Sequence, residues 1–178
     1  MSDPAGGARE REQGGEHVGR KSHRFQGNAG VEIDIGVELL LDEVIIFEPA
    51  YDSYKPIVEK AGGIAKCIPL LPPKWELTYE ILKNNINSKS KLIIINNPMN
   101  PIGKMFKTSE LEAISKIVNE NNMYVISDEV HEHIVFDDNK HIPIISVKGL
   151  EQRSIKIGSA GKTFSLTGWK IGFVISTK

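Results

Sequence analysis

Lys91-Leu92-Ile93-Ile94-Ile95-Asn96-Asn97-Pro98-Met99-Asn100-Pro101-Ile102-Gly103 decides the architecture of this chain. Its first half is a short, continuous apolar run. Such a run is expected of a strand buried on both faces, the usual environment of a parallel sheet. Its second half is turn chemistry, built from Asn, Pro and Gly. A second run, Met123-Tyr124-Val125-Ile126-Ser127, ends in Asp128-Glu129-Val130-His131. A third, Ser154-Ile155-Lys156-Ile157, leads into Gly158-Ser159-Ala160-Gly161-Lys162-Thr163-Phe164-Ser165-Leu166-Thr167-Gly168-Trp169-Lys170. Polar residues just past the carboxyl ends of parallel strands are where open α/β sheets bind ligands.

The segments between these runs read as helices. Glu43 to Phe47 is an apolar strand, followed by a helix over Ser53 to Ala61 with Pro56 in its first turn and Gly62-Gly63 as its stop. Ile64 to Leu70 reads as a strand, broken by Pro72-Pro73, and Leu77 to Asn87 as a helix. Thr108 is placed to cap a helix whose Leu111, Ile114, Ile117 and Val118 share one face. A further strand follows Ile171. Strands alternating with helices predict an α/β fold with a mostly parallel sheet and flanking helices.

Three strand ends thus present an Asn, an Asp and a Lys, in that order. Lys162 lies among small residues that leave room for a flat ligand, and a second cation, Lys170, follows. A lysine held in a pocket can lose its proton and act as an amine nucleophile, because burial and nearby cations disfavour the ammonium form. That chemistry is a Schiff base with an aldehyde, and pyridoxal phosphate is the biological aldehyde that matches. An Asn can donate to its ring oxygen, and a carboxylate can keep its pyridine nitrogen protonated. The same stretch also reads as a strand-to-loop turn with a solvated lysine.

These motifs carry a resemblance. Asn97-Pro98-Met99-Asn100-Pro101-Ile102-Gly103, Ser127-Asp128-Glu129-Val130 and Ser159 to Lys170 are similar to three motifs of the pyridoxal-phosphate-dependent class I/II aminotransferases of fold type I. Within them the chain most resembles the kynurenine aminotransferase and cysteine-conjugate β-lyase branch, from about Leu40 to Lys178. The resemblance implies part of an aspartate-aminotransferase-like large domain. It implies that Lys162 is the catalytic Schiff-base lysine and that Asp128 partners the pyridine nitrogen. It assigns Asn100 to the ring oxygen, Ser159 and Lys170 to the phosphate, and Tyr51 to stacking on the ring. At His131, which the resemblance places as a further cofactor contact, most of the branch's aminotransferases carry a tyrosine that donates to the ring oxygen, whereas its C–S lyases often carry histidine. A neutral imidazole can also donate one hydrogen bond. An imidazole titrates near pH 6.5, far below a phenol. If their segment were extended, His131 and His133 would share a face and could bind a metal, but no further ligand cluster supports one.

Composition narrows the remaining classes. The chain has 178 residues, enough for one sizeable core, and a net charge of -1. Nothing in that charge, or in a pI near 6.5, favours nucleic acid or an anionic membrane. The one cysteine, Cys67, cannot form an internal disulfide, which suits a reducing compartment and a cytoplasmic protein. No apolar run approaches the roughly 20 residues of a membrane helix, and the charged amino terminus has no signal-peptide core. Residues 1–35, rich in Gly, Arg, Glu and Gln, are expected to be disordered. Residues 36–178 are expected to form a partial pyridoxal-phosphate-binding domain.

The family's glycine-containing phosphate loop is not recognisable before Glu43, and the small domain with its carboxylate-gripping arginine is expected to lie beyond Lys178. Three readings follow. The first is an aminotransferase acting on an amino acid and a 2-oxo acid, homodimeric in its full-length parent. The second is a C–S β-lyase with the same cofactor. The third is a truncated, non-catalytic fragment.

Overall fold

The computed structural model describes residues 24–26, 32–34 and 42–177. The amino-terminal segment expected to be disordered lies outside the described residues except for two short strands, β1 (Arg24–Gln26) and β2 (Glu32–Asp34). These pair antiparallel, with Phe25 opposite Ile33.

The main sheet has six strands: β3 (Glu43–Glu48), β4 (Ile64–Pro69), β5 (Ser90–Asn96), β6 (Tyr124–Asp128), β7 (Ser154–Ser159) and β8 (Gly172–Ser176). Their order is β4-β3-β5-β6-β7-β8. All neighbours run parallel except β8, which joins β7 antiparallel at one edge. This is the mostly parallel α/β sheet that the apolar runs predict.

Among the described residues, four α-helices connect or follow the strands: α1 (Tyr54–Lys60), α2 (Tyr79–Asn85), α3 (Thr108–Glu120) and α4 (Ala160–Thr163). Residue parity along the strands divides the core in two. Val44, Ile46, Leu92, Ile94 and Ile126 pack with Tyr54 and Val58 of α1. Ile45, Phe47, Ile93, Ile95 and Val125 pack with Leu82 of α2 and Leu111, Ile114 and Val118 of α3. The chain steps from β3 outward to β4 by way of α1. It then returns past β3 to β5 by way of α2, and continues to β6 by way of α3. Parallel crossovers are right-handed, so steps in opposite directions must place their helices on opposite faces. The gap between the ends of β3 and β5 is therefore the switch point of the sheet.

Helix ends differ in detail from the sequence reading. The α1 stop holds: Gly62 takes φ +83°, and Gly62 and Gly63 donate back to Glu59 O and Val58 O, both at 3.0 Å. The second helix is shorter than expected, because Thr78 caps it by accepting from Ile81 N at 3.2 Å. Thr108 is not a cap but the first residue of α3. Glu110 replaces it by reaching back to accept the Lys107 N–H at 2.8 Å.

That carboxylate does more. It is buried and also accepts from Leu77 N at 2.8 Å and from Lys104 Nζ at 2.6 Å. It thereby ties the loop after β5 to α3 and to the segment entering α2. Replacing it leaves Lys104, whose side chain is 7% exposed, without its counter-charge. We expect Glu110→Ala to lower stability by about 3–5 kcal/mol, read as a reduced urea midpoint. A loss under about 1 kcal/mol, the value of a surface pair, would mean that Lys104 is compensated elsewhere.

Candidate active site

Register places the polar strand ends in a row. Asn96 at the end of β5 lies opposite Asp128 at the end of β6, and Asp128 lies opposite Ile157 of β7. Two bonds to one backbone carbonyl lock the row: Asn96 Nδ2 and Asn97 N both donate to Asp128 O, at 2.9 and 3.0 Å. Asn100 is held in turn, its N–H donating to Asn96 Oδ1 at 2.6 Å. Asn97 Oδ1 accepts from Phe106 N at 3.2 Å, and Met99 pairs with Lys104 across the turn. The Asn-Pro loop is therefore a braced element fastened to the end of β6.

Asp128 is buried on the α1 face. Its Oδ2 accepts from the Tyr54 hydroxyl at 2.6 Å and its Oδ1 from Val130 N at 3.2 Å. Burial pushes its carboxyl above the ordinary range, against the bonds from Tyr54 and Val130. Tyr54 itself is pushed far up by burial and by the Asp128 charge, so its hydroxyl keeps its proton. Tyr51 lies against it, with ring centroids 5.6 Å apart and planes at 67°. Both tyrosines follow β3, at the switch point. A small cavity there is lined by Phe47, Ala50, Tyr54, Asn96 and Asn100.

His131 sits in a turn after β6. Burial lowers its pKa, Asp128 raises it and Lys162 lowers it further, so it lies within the field of both. It also lines, with Asn100, Ile134 and Phe136, an open cleft of about 540 Å³. The extended geometry that would have put His131 and His133 on one face is not formed. Residues 130–133 turn, and His133 is exposed beside Glu132.

Lys162 lies in α4, directly after β7. The buried Ser159 caps that helix, its Oγ accepting from Lys162 N at 3.3 Å. Gly161 lies close to the returning chain: a Cβ there would come within 3.2 Å of Thr167 Cα and 3.3 Å of Ser159 Oγ. Leu166 N and Thr167 Oγ1 both donate to Gly161 O, at 3.1 and 3.4 Å. The chain then reaches Lys170 in the left-handed conformation, φ 54°. Lys162 is exposed, which differs from the buried lysine expected from its small neighbours. The small residues pack against backbone rather than around the amine.

The strand ends thus gather Asn100, Asp128, Ser159 and Lys162 on one edge, with Tyr51 at the switch point and His131 in the field of Asp128 and Lys162. Sequence reasoning missed Tyr54. Its signal was its place three residues after Tyr51, as the first residue of α1, but nothing local points to Asp128.

Comparison with known proteins shows the family and the fold. Residues 32–178 match the family described as aminotransferase class I and II. The chain belongs to that family. Kynurenine–oxoglutarate transaminase 1 of Rattus norvegicus is 40% identical over 145 residues, covering 75% of this chain and 34% of the relative. Kynurenine–oxoglutarate transaminase 3 of Homo sapiens is 43% identical over 144 residues, covering 75% and 32%. The solved structure of N-succinyldiaminopimelate aminotransferase from Mycobacterium tuberculosis superposes with a TM-score of 0.74 at 40% identity, covering 77% of this chain and 36% of that one. The chain spans about one third of the length of these class I and II aminotransferases.

On the opposite sheet face, parity directs the next residue, Glu129, toward α3. This fully buried carboxylate accepts from Ser127 Oγ at 2.9 Å and Ile144 N at 2.8 Å, and meets His141 Nε2 at 2.8 Å. Lys156 Nζ lies 3.3 Å away and also bonds Glu132. Glu129, Glu132 and His141 could together ligate a metal, but the Lys156 ammonium already supplies their positive charge. Burial raises the Glu129 pKa, but the bonds from His141, Ile144 and Ser127 outweigh it and hold the carboxyl below its ordinary value. A lowered carboxyl contributes stability above its unfolded pKa, about 4.3, that is lost as pH falls through the folded value. We therefore expect Glu129→Gln to cost about 3 kcal/mol at neutral pH, with the deficit narrowing on acidification below about pH 4. Chemical denaturation at the two pH values checks this. An equal deficit at both would mean that Glu129 is not ionised in the fold.

Proposed function

We propose that this chain holds pyridoxal phosphate and serves amino-group transfer between an amino acid and a 2-oxo acid. The observation that carries the reading is Asp128: a buried carboxylate at the switch-point edge, held by Tyr54 and the Asn-Pro loop, with Lys162 following the next strand. The donor set fits the cofactor. A carboxylate with two donors, Tyr54 and Val130, can still accept a pyridinium N–H on its remaining lone pairs. When bound, pyridoxal phosphate draws electrons from the substrate carbon next to the amino group, because its ring nitrogen carries a proton.

The residues divide the remaining tasks. Asp128 keeps that ring proton in place by charge pairing. Asn100 and His131 donate to the ring oxygen, and Tyr51 covers the ring face. Ser159 donates a hydroxyl to the phosphate and Lys170 adds a point charge. Lys162 Nζ is the amine that would hold the cofactor aldehyde, with loss of water, and the same amine would move the proton at the substrate α-carbon. Lys162 is exposed, so no side chain has to move before an aldehyde reaches it. We include in the proposal a cytoplasmic setting, on the single cysteine, and a homodimeric parent, on the family.

The relatives named for kynurenine and oxoglutarate make that pair the first to assay. Transfer yields a keto acid and glutamate, whereas C–S cleavage of a cysteine conjugate, with water, yields pyruvate, ammonium and a thiol. The appearance of pyruvate and thiol without transfer would replace this reading by a lyase. Borohydride reduction after adding pyridoxal phosphate is expected to fix the cofactor on Lys162. Peptide mapping that finds it on Lys156 or Lys170 would overturn the assignment. Asp128→Asn should keep that labelling and lower amino-group transfer by about 100-fold, because a neutral amide cannot hold the ring proton by charge. Ordinary turnover in this variant would remove Asp128 from the ring-nitrogen role.

A further inference from the structure

Tyr54 is assigned no task in the scheme above, yet it makes the shortest contact to the residue on which that scheme rests. Asp128 is 6% exposed, and the apolar residues packed on its face include Ile46, Ile94, Ile126 and Ile157. A carboxylate in such surroundings takes up a proton unless donors compensate its charge. Two donors are present. Val130 N, at 3.2 Å, is a backbone bond of ordinary length. The Tyr54 hydroxyl, at 2.6 Å, is within the range of charge-assisted O–H···O⁻ bonds, the stronger class.

The donor is itself fixed. Tyr54 is the first residue of α1 and is buried, and its ring meets that of Tyr51 edge-on at 5.6 Å. Its backbone N–H is bonded to Tyr51 O at 3.2 Å. Neither the helix nor the ring can turn without breaking these contacts. The other charges that act on Asp128 come from its own segment: His131 favours its ionised form and Glu129 opposes it. Lys162 of α4 acts on His131. Tyr54 is thus the one strong donor to Asp128 from a different element among the described residues.

We propose that Tyr54 is a positioning residue whose hydroxyl, donating to Asp128 Oδ2, keeps that carboxylate ionised and aimed for the ring nitrogen of the cofactor. The inference rests on the pyridoxal-phosphate reading and extends it to a residue that does not touch the cofactor. Tyr54 keeps the phenol proton throughout the working pH range, because burial and the Asp128 charge raise its pKa well above that of a free phenol. It therefore donates at every pH at which Asp128 is charged.

The first arm of the test uses the whole chain without cofactor. Carboxyl-carbon NMR of Asp128 is followed through an acid titration in wild type and in Tyr54→Phe, which keeps the ring and removes only the hydroxyl. The midpoint is expected to rise by about one pH unit or more in the variant. Fluorotyrosine, a stronger donor of nearly the same shape, supplies a second measurement that does not depend on the phenylalanine variant folding. It is expected to move the midpoint down. An unchanged midpoint in either protein overturns the proposal.

The second arm adds pyridoxal phosphate labelled at the ring nitrogen and reads its protonation by NMR. The ring nitrogen should be protonated in wild type and lose protonation in Tyr54→Phe at the same pH. Equal protonation in both, with the Asp128 midpoint shifted, would make Tyr54 a structural partner only and overturn its positioning role. Failure of the cofactor reading looks different. Wild type itself would then retain no reducible label on any lysine, whatever the Asp128 midpoint does, and both proposals would fall together.

Discussion

The row of strand ends that forms the candidate site depends on one constraint, the parallel pairing of β5, β6 and β7. Parallel strands end on the same edge, so three loops separated widely in sequence emerge side by side. The register then sets which residues meet: Asn96 stands opposite Asp128, and Asp128 opposite Ile157. A shift of one residue would reverse the face of each side chain and send Asp128 toward α3. The apolar positions on both faces of these strands forbid that shift, because it would exchange two differently shaped core clusters. The hydrophobic core thus fixes the direction of a carboxylate it does not itself use.

Adjacent residues in the same chain show what that direction decides. Asp128 and Glu129 are both buried acids, and parity sends them to opposite faces. Glu129 meets Ser127, Ile144, His141 and Lys156, and its pKa falls despite burial. Its hydrogen-bonding capacity is spent on holding the segment from Glu129 to Ile144. Among the described residues the Asp128 carboxylate accepts only from Tyr54 and Val130, and its pKa rises. An acid with unused lone pairs and a raised pKa is poorly stabilised by its own fold and is suited to a ligand that brings a positive charge. The difference between these two carboxylates is the number of donors within reach.

The loops are braced by the same means. Glu110 fastens Lys104, Lys107 and Leu77, while Asn96 and Asn97 fasten the Asn-Pro turn to Asp128 O. After β7 the small residues serve packing: Gly161 meets Thr167 and Ser159, and a Cβ on Gly158 would lie 2.1 Å from the Phe173 ring across to β8. Positioning on the strand edge therefore comes from backbone hydrogen bonds and close approach. Side-chain bulk contributes little, which leaves Lys162 and Lys170 free to face solvent.

The apolar runs alone determined the α/β class, the mostly parallel sheet and most element positions, because continuous burial and helical spacing are local patterns that a sequence carries openly. The three motifs likewise determined the family and put Asn100, Asp128, Ser159 and Lys162 at strand ends. Helix starts were less legible, since Glu110 caps α3 from inside the helix and no single residue signals that. What only the tertiary structure decided is which side chains meet. Tyr54 and Asp128 are separated by 74 positions, and Lys156 reaches Glu132 across 24, so no spacing rule connects them. Those pairings follow from crossover direction, strand register and parity acting together, and they set the charge state of the two buried acids on which the fold and its candidate site depend.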